Sequence, residues 1–355
     1  MLILGIESSC DETAAAVVEE TDDVARPWVI RSSAVASQVD IHREWGGVVP
    51  EIASRQHVRD ICGVVERAMS DARIALTDLD AVAVTQGPGL VGSLLVGVSF
   101  AKSLAATIER PLIPVHHLAG HIESLFLDNG PLPLPAVVLV VSGGHTSLYL
   151  VPAPGVYRRL ARTRDDAAGE AYDKVARLLG LGYPGGPIID ALAREGDDRA
   201  IPFPATRITH RDRNAPEAAG RFDFSFSGIK TAVLRHVRGR AGDATDIASV
   251  FSPKERADIC ASFQRVVVEA LLDRLFEAAW RSGARSVGIA GGVSANSRLR
   301  KDAATRGEEL ALPVYLPTLA LSTDNAAMIA AAGLRRFHEG VRAGWDLNAD
   351  PALAL

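Results

Sequence analysis

Leu2-Ile3-Leu4-Gly5-Ile6-Glu7-Ser8-Ser9-Cys10-Asp11-Glu12-Thr13-Ala14-Ala15-Ala16-Val17-Val18 opens the chain as an apolar run, a polar turn and a second apolar run. Short apolar runs bounded by turn residues read as buried strands, so the stretch predicts a hairpin. The plan returns at 136–151, where Ala136 to Val141 runs into Ser142-Gly143-Gly144-His145-Thr146 and then Leu148 to Val151. A second pair of units follows the same logic. Ala81-Val82-Ala83-Val84 leads into Gln86-Gly87-Pro88-Gly89-Leu90-Val91-Gly92 and a helix through Ala106. Ser286-Val287-Gly288-Ile289-Ala290 leads into Gly291-Gly292-Val293-Ser294-Ala295-Asn296 and a helix through Ala304. Each pairs a buried strand with a glycine-rich turn and a helix. Two hairpins and two such units, one of each per half, predict an α/β fold built by duplication.

The remaining elements fit that frame. Ser54 to Ala72 spaces Val58, Ile61, Val65 and Met69 as one helix face, and Ile259 to Trp280 does so with Val266, Leu271, Leu275 and Ala279. These stripes are read as core. The stretch 165–245 breaks the repeat, is richer in Gly, Pro and Arg, and is taken as an insertion. The tail after Gly340 carries no strong signal and is expected to fray.

Bulk composition narrows the function. At 355 residues there is material for two lobes, each with a core. No apolar run approaches the roughly 20 residues that span a bilayer, and the N-terminus lacks a basic flank, so neither membrane insertion nor secretion is expected. Cys10, Cys62 and Cys260 are widely spaced and outside any Cys-x-x-Cys pattern, which argues for a reduced, cytoplasmic protein. A net charge of −5 argues weakly against a chain coated for non-specific nucleic-acid binding and leaves room for local basic faces. Arginines 281–306 and 235–240 form two such clusters, also readable as solvated surface.

His116-His117-Leu118-Ala119-Gly120-His121 is the strongest chemical signal. Side chains four apart on a helix share a face, so His117 and His121 can aim ring nitrogens at one point, as metal ligands do. Asp324, in Ser322-Thr323-Asp324-Asn325, is a candidate third ligand, or simply a helix cap or a first-turn acid stabilised by the helix dipole. A two-His, one-carboxylate set with open positions suits iron(II) or zinc. The glycine turns at 142–144, 291–292 and Gly182-Tyr183-Pro184-Gly185-Gly186-Pro187 can bring backbone N–H groups to a phosphate, although none matches the Rossmann or P-loop pattern.

Ten stretches then fall in the order of one family. They are Glu7–Thr13, Gly46-Gly-Val-Val-Pro-Glu51, Gly87–Gly92, His116–His121, Val141-Ser-Gly-Gly-His-Thr146 and Ala168-Gly-Glu-Ala-Tyr-Asp173. The others are Tyr183–Pro187, Phe222-Asp-Phe-Ser-Phe-Ser-Gly-Ile-Lys230, Ala290–Asn296 and Ser322–Asn325. From residue 3 to about 340 the chain resembles the bacterial tRNA N6-adenosine threonylcarbamoyltransferases. The resemblance implies an actin/hsp70-like ATPase fold, with an N-terminal lobe over 1–133, a C-terminal lobe over 134–355 carrying the 165–245 insertion, and a nucleotide and metal cleft between them. It implies transfer of a threonylcarbamoyl group from threonylcarbamoyl-AMP to N6 of adenosine 37 in tRNAs reading codons that begin with A, with release of AMP. By motif, His117, His121 and Asp324 would hold Fe2+ or Zn2+. Val140, Val141, Ser142, Gly143, Gly144, Asp173, Gly186, Asp190 and Asn296 would bind the adenylate donor, in a site that ATP or ADP also enters. Asp11 and Glu12 would line the cleft near the phosphate as catalytic residues. The implied partners are tRNA, a non-catalytic paralogue of the same fold and a small P-loop ATPase.

Competing readings fare worse on the residues. A zinc peptidase with His-x-x-x-His needs a glutamate after the first histidine, and Leu118 stands there. A non-catalytic paralogue would be expected to lose the metal set, which is retained here. A small-molecule kinase of the same fold would turn over ATP with sugars and no tRNA.

Overall fold

Strand pairing follows the apolar runs. β1 (Leu2–Glu7), β2 (Glu12–Glu20), β3 (Trp28–Ser37), β4 (Ala81–Gly87) and β5 (Leu112–His116) form one sheet in the order β3-β2-β1-β4-β5. β1, β2 and β3 run antiparallel, whereas β4 and β5 run parallel to β1. β6 (Ala136–Val141), β7 (Thr146–Ala153), β8 (Val156–Arg162), β9 (Ser286–Ala290) and β10 (Val314–Tyr315) form the other, ordered β10-β9-β6-β7-β8. Here β7 is antiparallel and β9 parallel to β6, with β10 parallel to β9. Read from its other edge, the second sheet repeats the first, strand for strand, in order. This is the duplicated α/β architecture expected from the two hairpins. The computed structural model describes residues 1–205, 222–241 and 250–355, and the parts of the expected insertion at 206–221 and 242–249 lie outside the described residues.

Two compact units result: residues 1–132, 153–157 and 317–355 in the first, and 133–152 and 158–316 in the second. The expected lobe of 134–355 therefore needs correction, because the last 39 residues belong with the N-terminal sheet. The physical cause is α11 (Ala326–His338), whose alanine-rich stretch Ala326–Leu334 is buried without interruption. Small side chains let its backbone lie directly on β1 and β4. A Cβ on Gly5 would stand 2.3 Å from the Ala326 carbonyl oxygen and 2.6 Å from the Ala330 nitrogen, and one on Gly333 would meet the Ala83 methyl at 2.5 Å.

The first unit also contains α1 (Val39–Arg43), α2 (Pro50–Ala72), α3 (Val91–Thr107), α4 (His117–Asn129) and α10 (Leu319–Ser322). Proline opens α2 at a position where its missing N–H costs nothing, and Arg73 closes it at a φ of 57°. Its buried stripe passes through His57, Ile61, Val64, Ala68 and Ala72, so Val58 falls on the flank and is exposed, contrary to the expected face. Nor does the tail fray. Ala343, Leu347 and Ala349 pack on the core of this unit, and the Ala343 and Asp350 amides donate to the Leu112 and Gln86 carbonyls.

The second unit contains α5 (Ala168–Leu178), α6 (Gly185–Ala193), α7 (Ser227–Ala241), α8 (Pro253–Arg281) and α9 (Ser297–Glu309). In α8 the expected Val266, Leu271, Leu275 and Ala279 are all buried. A capping box starts this helix: the Ser252 hydroxyl accepts from the Glu255 amide, and the Glu255 carboxylate takes the Ser252 amide and hydroxyl. Among the described residues no helix is long and apolar enough to cross a membrane.

Two predictions follow from this packing. Gly5→Ala forces α11 off β1 and should lower stability by about 1–3 kcal/mol, read from the denaturant midpoint. An unchanged midpoint would mean that α11 does not sit on this backbone. The cap is sensitive to acid. Hydrogen bonds from the Ser252 backbone and side chain, then from Arg240, hold Glu255 down at about 2. A carboxyl depressed in the folded state stabilises above its unfolded value near 4.3 and loses that contribution as pH falls through 2. Ser252→Ala should cost about 1 kcal/mol at pH 7. The stability gap between wild type and Glu255→Gln should be largest at neutral pH and close toward pH 2; a gap independent of pH would rule the cap out as the acid-sensitive element.

Candidate functional site

β5 ends at His116 and α4 begins at once, so the histidine motif straddles a strand-to-helix junction. α4 is buried from His117 to Leu127, which leaves His121 with no solvent and His117 with very little. Gly120, between the two histidines, is a packing device. A Cβ there would meet Ile329 Cδ1 at 2.9 Å and Met328 Cγ at 3.2 Å, so its absence lets α4 and the α11 side chains pack closely. That approach delivers Asp324, which lies just before α11, to the histidine face. The capping task belongs to its neighbour: Asn325 accepts from the Met328 amide, which sets aside the reading of Asp324 as the cap.

Asp324 Oδ1 is 3.1 Å from His121 Nε2 and 3.6 Å from His117 Nε2. His117, His121 and Asp324 offer donor atoms all within 4.8 Å of one another. Ligand atoms bound at about 2.1 Å to one ion, at angles of about 90–120°, stand about 3.0–3.6 Å apart. The two distances fit that spacing. The fit is also chemical, since both ring nitrogens of fully buried His121 lack a hydrogen bond and Nε2 faces the carboxylate without hydrogen-bonding geometry. A buried imidazole left this way is costly unless an electrophile meets it.

Glu7, which the sequence placed in a motif without a role, supplies the orienting contact. Its Oε2 lies 3.1 Å from His117 Nδ1 and accepts from the Thr85 hydroxyl at 2.7 Å, while Oε1 accepts from the Ser9 amide. The carboxylate thus holds the proton of His117 on Nδ1 and leaves Nε2 pointing at Asp324, the usual arrangement behind a metal-bound histidine. The signal was legible, because an acid at the end of a fully buried strand needs a partner. Burial opposes charge on His117, but the Asp324 and Glu7 carboxylates outweigh it and push its pKa up to about 9. Burial raises Glu7, yet the charge and hydrogen bond of His117 hold it below the ordinary carboxylate range. The cluster therefore favours positive charge at its centre.

In the same unit Asp11 and Glu12 occupy the β1–β2 turn. The turn is fastened by Gln38 and Leu90 amides donating to the Asp11 and Ser9 carbonyls, and by His57, which bridges the Thr13 hydroxyl at 2.7 Å and the Cys10 carbonyl at 3.0 Å. Burial, then the charges of Asp11 and Asp324, push Glu12 well above the ordinary carboxylate range.

The expected donor residues all lie in the second unit. Val140 and Val141 are fully buried in β6, so only their main chain can meet a ligand. Gly143 and Gly144 have open space where a Cβ would stand, as does Gly186. Asp173 Oδ1 accepts from the Gly185 amide at 2.7 Å and so fixes the turn that presents Gly186. Asp190 is heavily committed: Oδ1 takes Gln264 Nε2 and Ser297 Oγ, and Oδ2 takes Arg194 and the Ser297 amide. Gln264, unremarked in the sequence, also accepts from Asn296 Nδ2 at 2.8 Å, while Asn296 Oδ1 caps α9. Much of the expected basic surface is self-neutralised. Arg281, Arg298 and Arg306 pair with Glu277, with Asp198 and Asp302, and with Asp273, while Arg240 pairs with Glu255.

Known proteins share this fold. HypF in its phosphate- and nucleotide-bound form shares the fold, with a TM-score of 0.59 at 14% identity over 95% of this chain and 46% of that one. Component A of the (R)-2-hydroxyglutaryl-CoA dehydratase from Acidaminococcus fermentans does so at 0.52 and 14% identity, over 95% and 98% of the two chains. Both are actin/hsp70-like, which is the class that the resemblance implied. Proteins named tRNA N6-adenosine threonylcarbamoyltransferase are far closer in sequence. The one from Anaeromyxobacter sp. (strain Fw109-5) is 51% identical over all of both chains, and the one from Koribacter versatilis (strain Ellin345) is 49% identical over 100% of this chain and 99% of its own. Residues 29–331 match the family described by that same name. The chain belongs to the tRNA N6-adenosine threonylcarbamoyltransferase family.

Proposed function

We propose a division of labour for the t6A-forming transfer, in which the first unit holds a divalent cation and a proton acceptor, and the second holds the adenylate. The observation that carries it is the buried set of two imidazoles and one carboxylate, with donor atoms within 4.8 Å of one another, in a chain of this family. His117 Nε2, His121 Nε2 and Asp324 are the ligands. Two histidines and one carboxylate without thiolate favour Fe2+, with Zn2+ next. When bound, the ion supplies Lewis-acid stabilisation of the phosphate that departs with AMP.

The chain's own groups do the rest. The N6 lone pair of adenosine 37 attacks the carbamoyl carbon of threonylcarbamoyl-AMP, the C–N bond forms and the C–O bond to phosphate breaks. Asp11 accepts the proton that leaves N6. Protonated Glu12 beside it donates a hydrogen bond and keeps a second negative charge from opposing the phosphate. Main-chain N–H groups at Gly143 and Gly144 offer donors where charge develops on the leaving group, which the open space over both glycines permits, while the Ser142 amide closes the turn by donating to the His145 carbonyl at 2.8 Å. Asp173 and Gly186 line the nucleoside. Asp190 acts through Gln264 and Asn296, since its oxygens are occupied by protein donors. The adenine is presented from a loop, where unstacking is cheap. The partners of this reading are tRNA, a non-catalytic paralogue and a small P-loop ATPase, and its compartment is the cytoplasm.

The reading is tested by incubating Fe2+-loaded protein and its partners with threonylcarbamoyl-AMP and unmodified tRNA, followed by mass analysis of nucleosides. His121→Ala should empty the site of metal and abolish transfer while the circular dichroism is unchanged; wild-type transfer by a metal-depleted His121→Ala sample sinks the metal assignment. Asp11→Asn should slow transfer by about 10²–10⁴-fold with metal content intact, the range for a lost general base. A rate within a few-fold of wild type would remove Asp11 from proton transfer.

A further inference from the structure

We propose that His116 is a positioning residue for the metal ligands and that the segment 343–353 is the strap that holds it in place. The inference rests on the metal reading above and goes beyond it, because neither His116 nor the tail has a part in that chemistry.

His116 is the N-cap of α4, with extended backbone at φ −83° and ψ 125°. Its Nδ1 accepts from the Leu118 amide at 3.1 Å. An amide N–H can only donate, so Nδ1 is bare and the ring proton of the neutral imidazole sits on Nε2. Nε2 lies 3.1 Å from the Leu353 carbonyl oxygen, which can only accept. The tautomer is fixed from both sides, by the first turn of the metal helix and by the far end of the chain.

The strap itself is well fastened. The Ala343 amide donates to the Leu112 carbonyl at 2.8 Å, at the start of β5, and Leu353 meets His116 at its end. Between them the Asp350 amide donates to the Gln86 carbonyl at 2.9 Å, the Gly89 amide donates to Pro351 at 3.3 Å, and Lys102 Nζ reaches the Leu347 carbonyl at 3.0 Å. Gly87 has no room for a side chain, because a Cβ there would stand 1.8 Å from the Asp350 carbonyl oxygen. Every contact of this strap borders β4, β5 or the helices that follow them. An N-cap acts on the first helical turn, where orphan N–H groups must be met. His117 is in that turn and His121 is a turn further on. Loosening the cap therefore misaligns one ligand and spares the other.

The test uses the full-length protein and Zn2+ as a redox-inert probe, with Kd measured by competition against a chromogenic chelator. His116→Ala should weaken Zn2+ by about 10- to 100-fold, the usual cost of losing a group behind the ligands. His116→Asn, which supplies a good cap acceptor without the reach to Leu353, should recover part of that loss. Gly87→Ala, which must displace Asp350 while leaving His116 intact, should weaken Zn2+ as well. A lowered melting temperature with wild-type Kd in His116→Ala, or an unchanged Kd in Gly87→Ala, overturns the proposal. Wild-type protein that bound no Zn2+ would instead overturn the metal reading itself, so the two failures are told apart.

Discussion

Close approach of α11 to β1 and α4 is the constraint on which the site depends. Three glycines set it: Gly5 of β1 against the α11 backbone, Gly333 of α11 against Ala83 of β4, and Gly120 of α4 against Met328 and Ile329. Because α11 is nearly all alanine where it touches, the helix lies close on the strands, and Asp324 arrives just before its first turn. A bulkier helix would stand off the sheet and carry the carboxylate with it. The histidines contribute nothing to this distance; they are positioned by β5 and by the start of α4. The spacing of His117, His121 and Asp324 is therefore a consequence of backbone packing between segments about 200 residues apart.

Charge then has to be accommodated where packing excludes water. Glu7, His117 and His121 have almost no exposure, and unpaired charges at such depth would cost several kcal/mol each. Glu7 and His117 solve this by pairing, and both shift toward their charged forms despite burial. Glu12 shows the opposite outcome: burial and the nearby carboxylates of Asp11 and Asp324 push it well above the ordinary carboxylate range.

How much of this was legible depends on the range of the interaction. Hairpins, strand–turn–helix units and the i,i+4 histidines are local, and alternation or helical spacing exposes them in the sequence. The return of α11 to the first sheet is not local, and its alanine run looks like any helix; only the glycines it rests against reveal it. The tail carries no apolar stripe because main-chain hydrogen bonds fasten it, and these leave no mark on residue type. Asp190 looked like a free ligand group, but its donors come from α6, α8 and α9, separated by up to 107 residues. Glu7 was the one missed group with a visible clue, a charge closing a wholly apolar strand.

Duplication gave both units the same two turns, and the two copies have diverged in opposite senses. In the first unit the turn after β4 is sealed: Gly87 is in contact with Asp350, and Gly89 is held by Pro351. In the second, the turn after β9 stays open above Gly292, while Gly291, at a φ of 91°, packs on the Val141 carbonyl beneath. The hairpin turns part in the same way. The one after β1 is acidic and tied down by His57 and Gln38, whereas the one after β6 leaves open the space where side chains on Gly143 and Gly144 would stand. One copy has become a tied-down acidic turn and the other an open glycine turn. A duplicated fold can supply both kinds of turn without asking a single loop to be acidic and rich in open glycines at once.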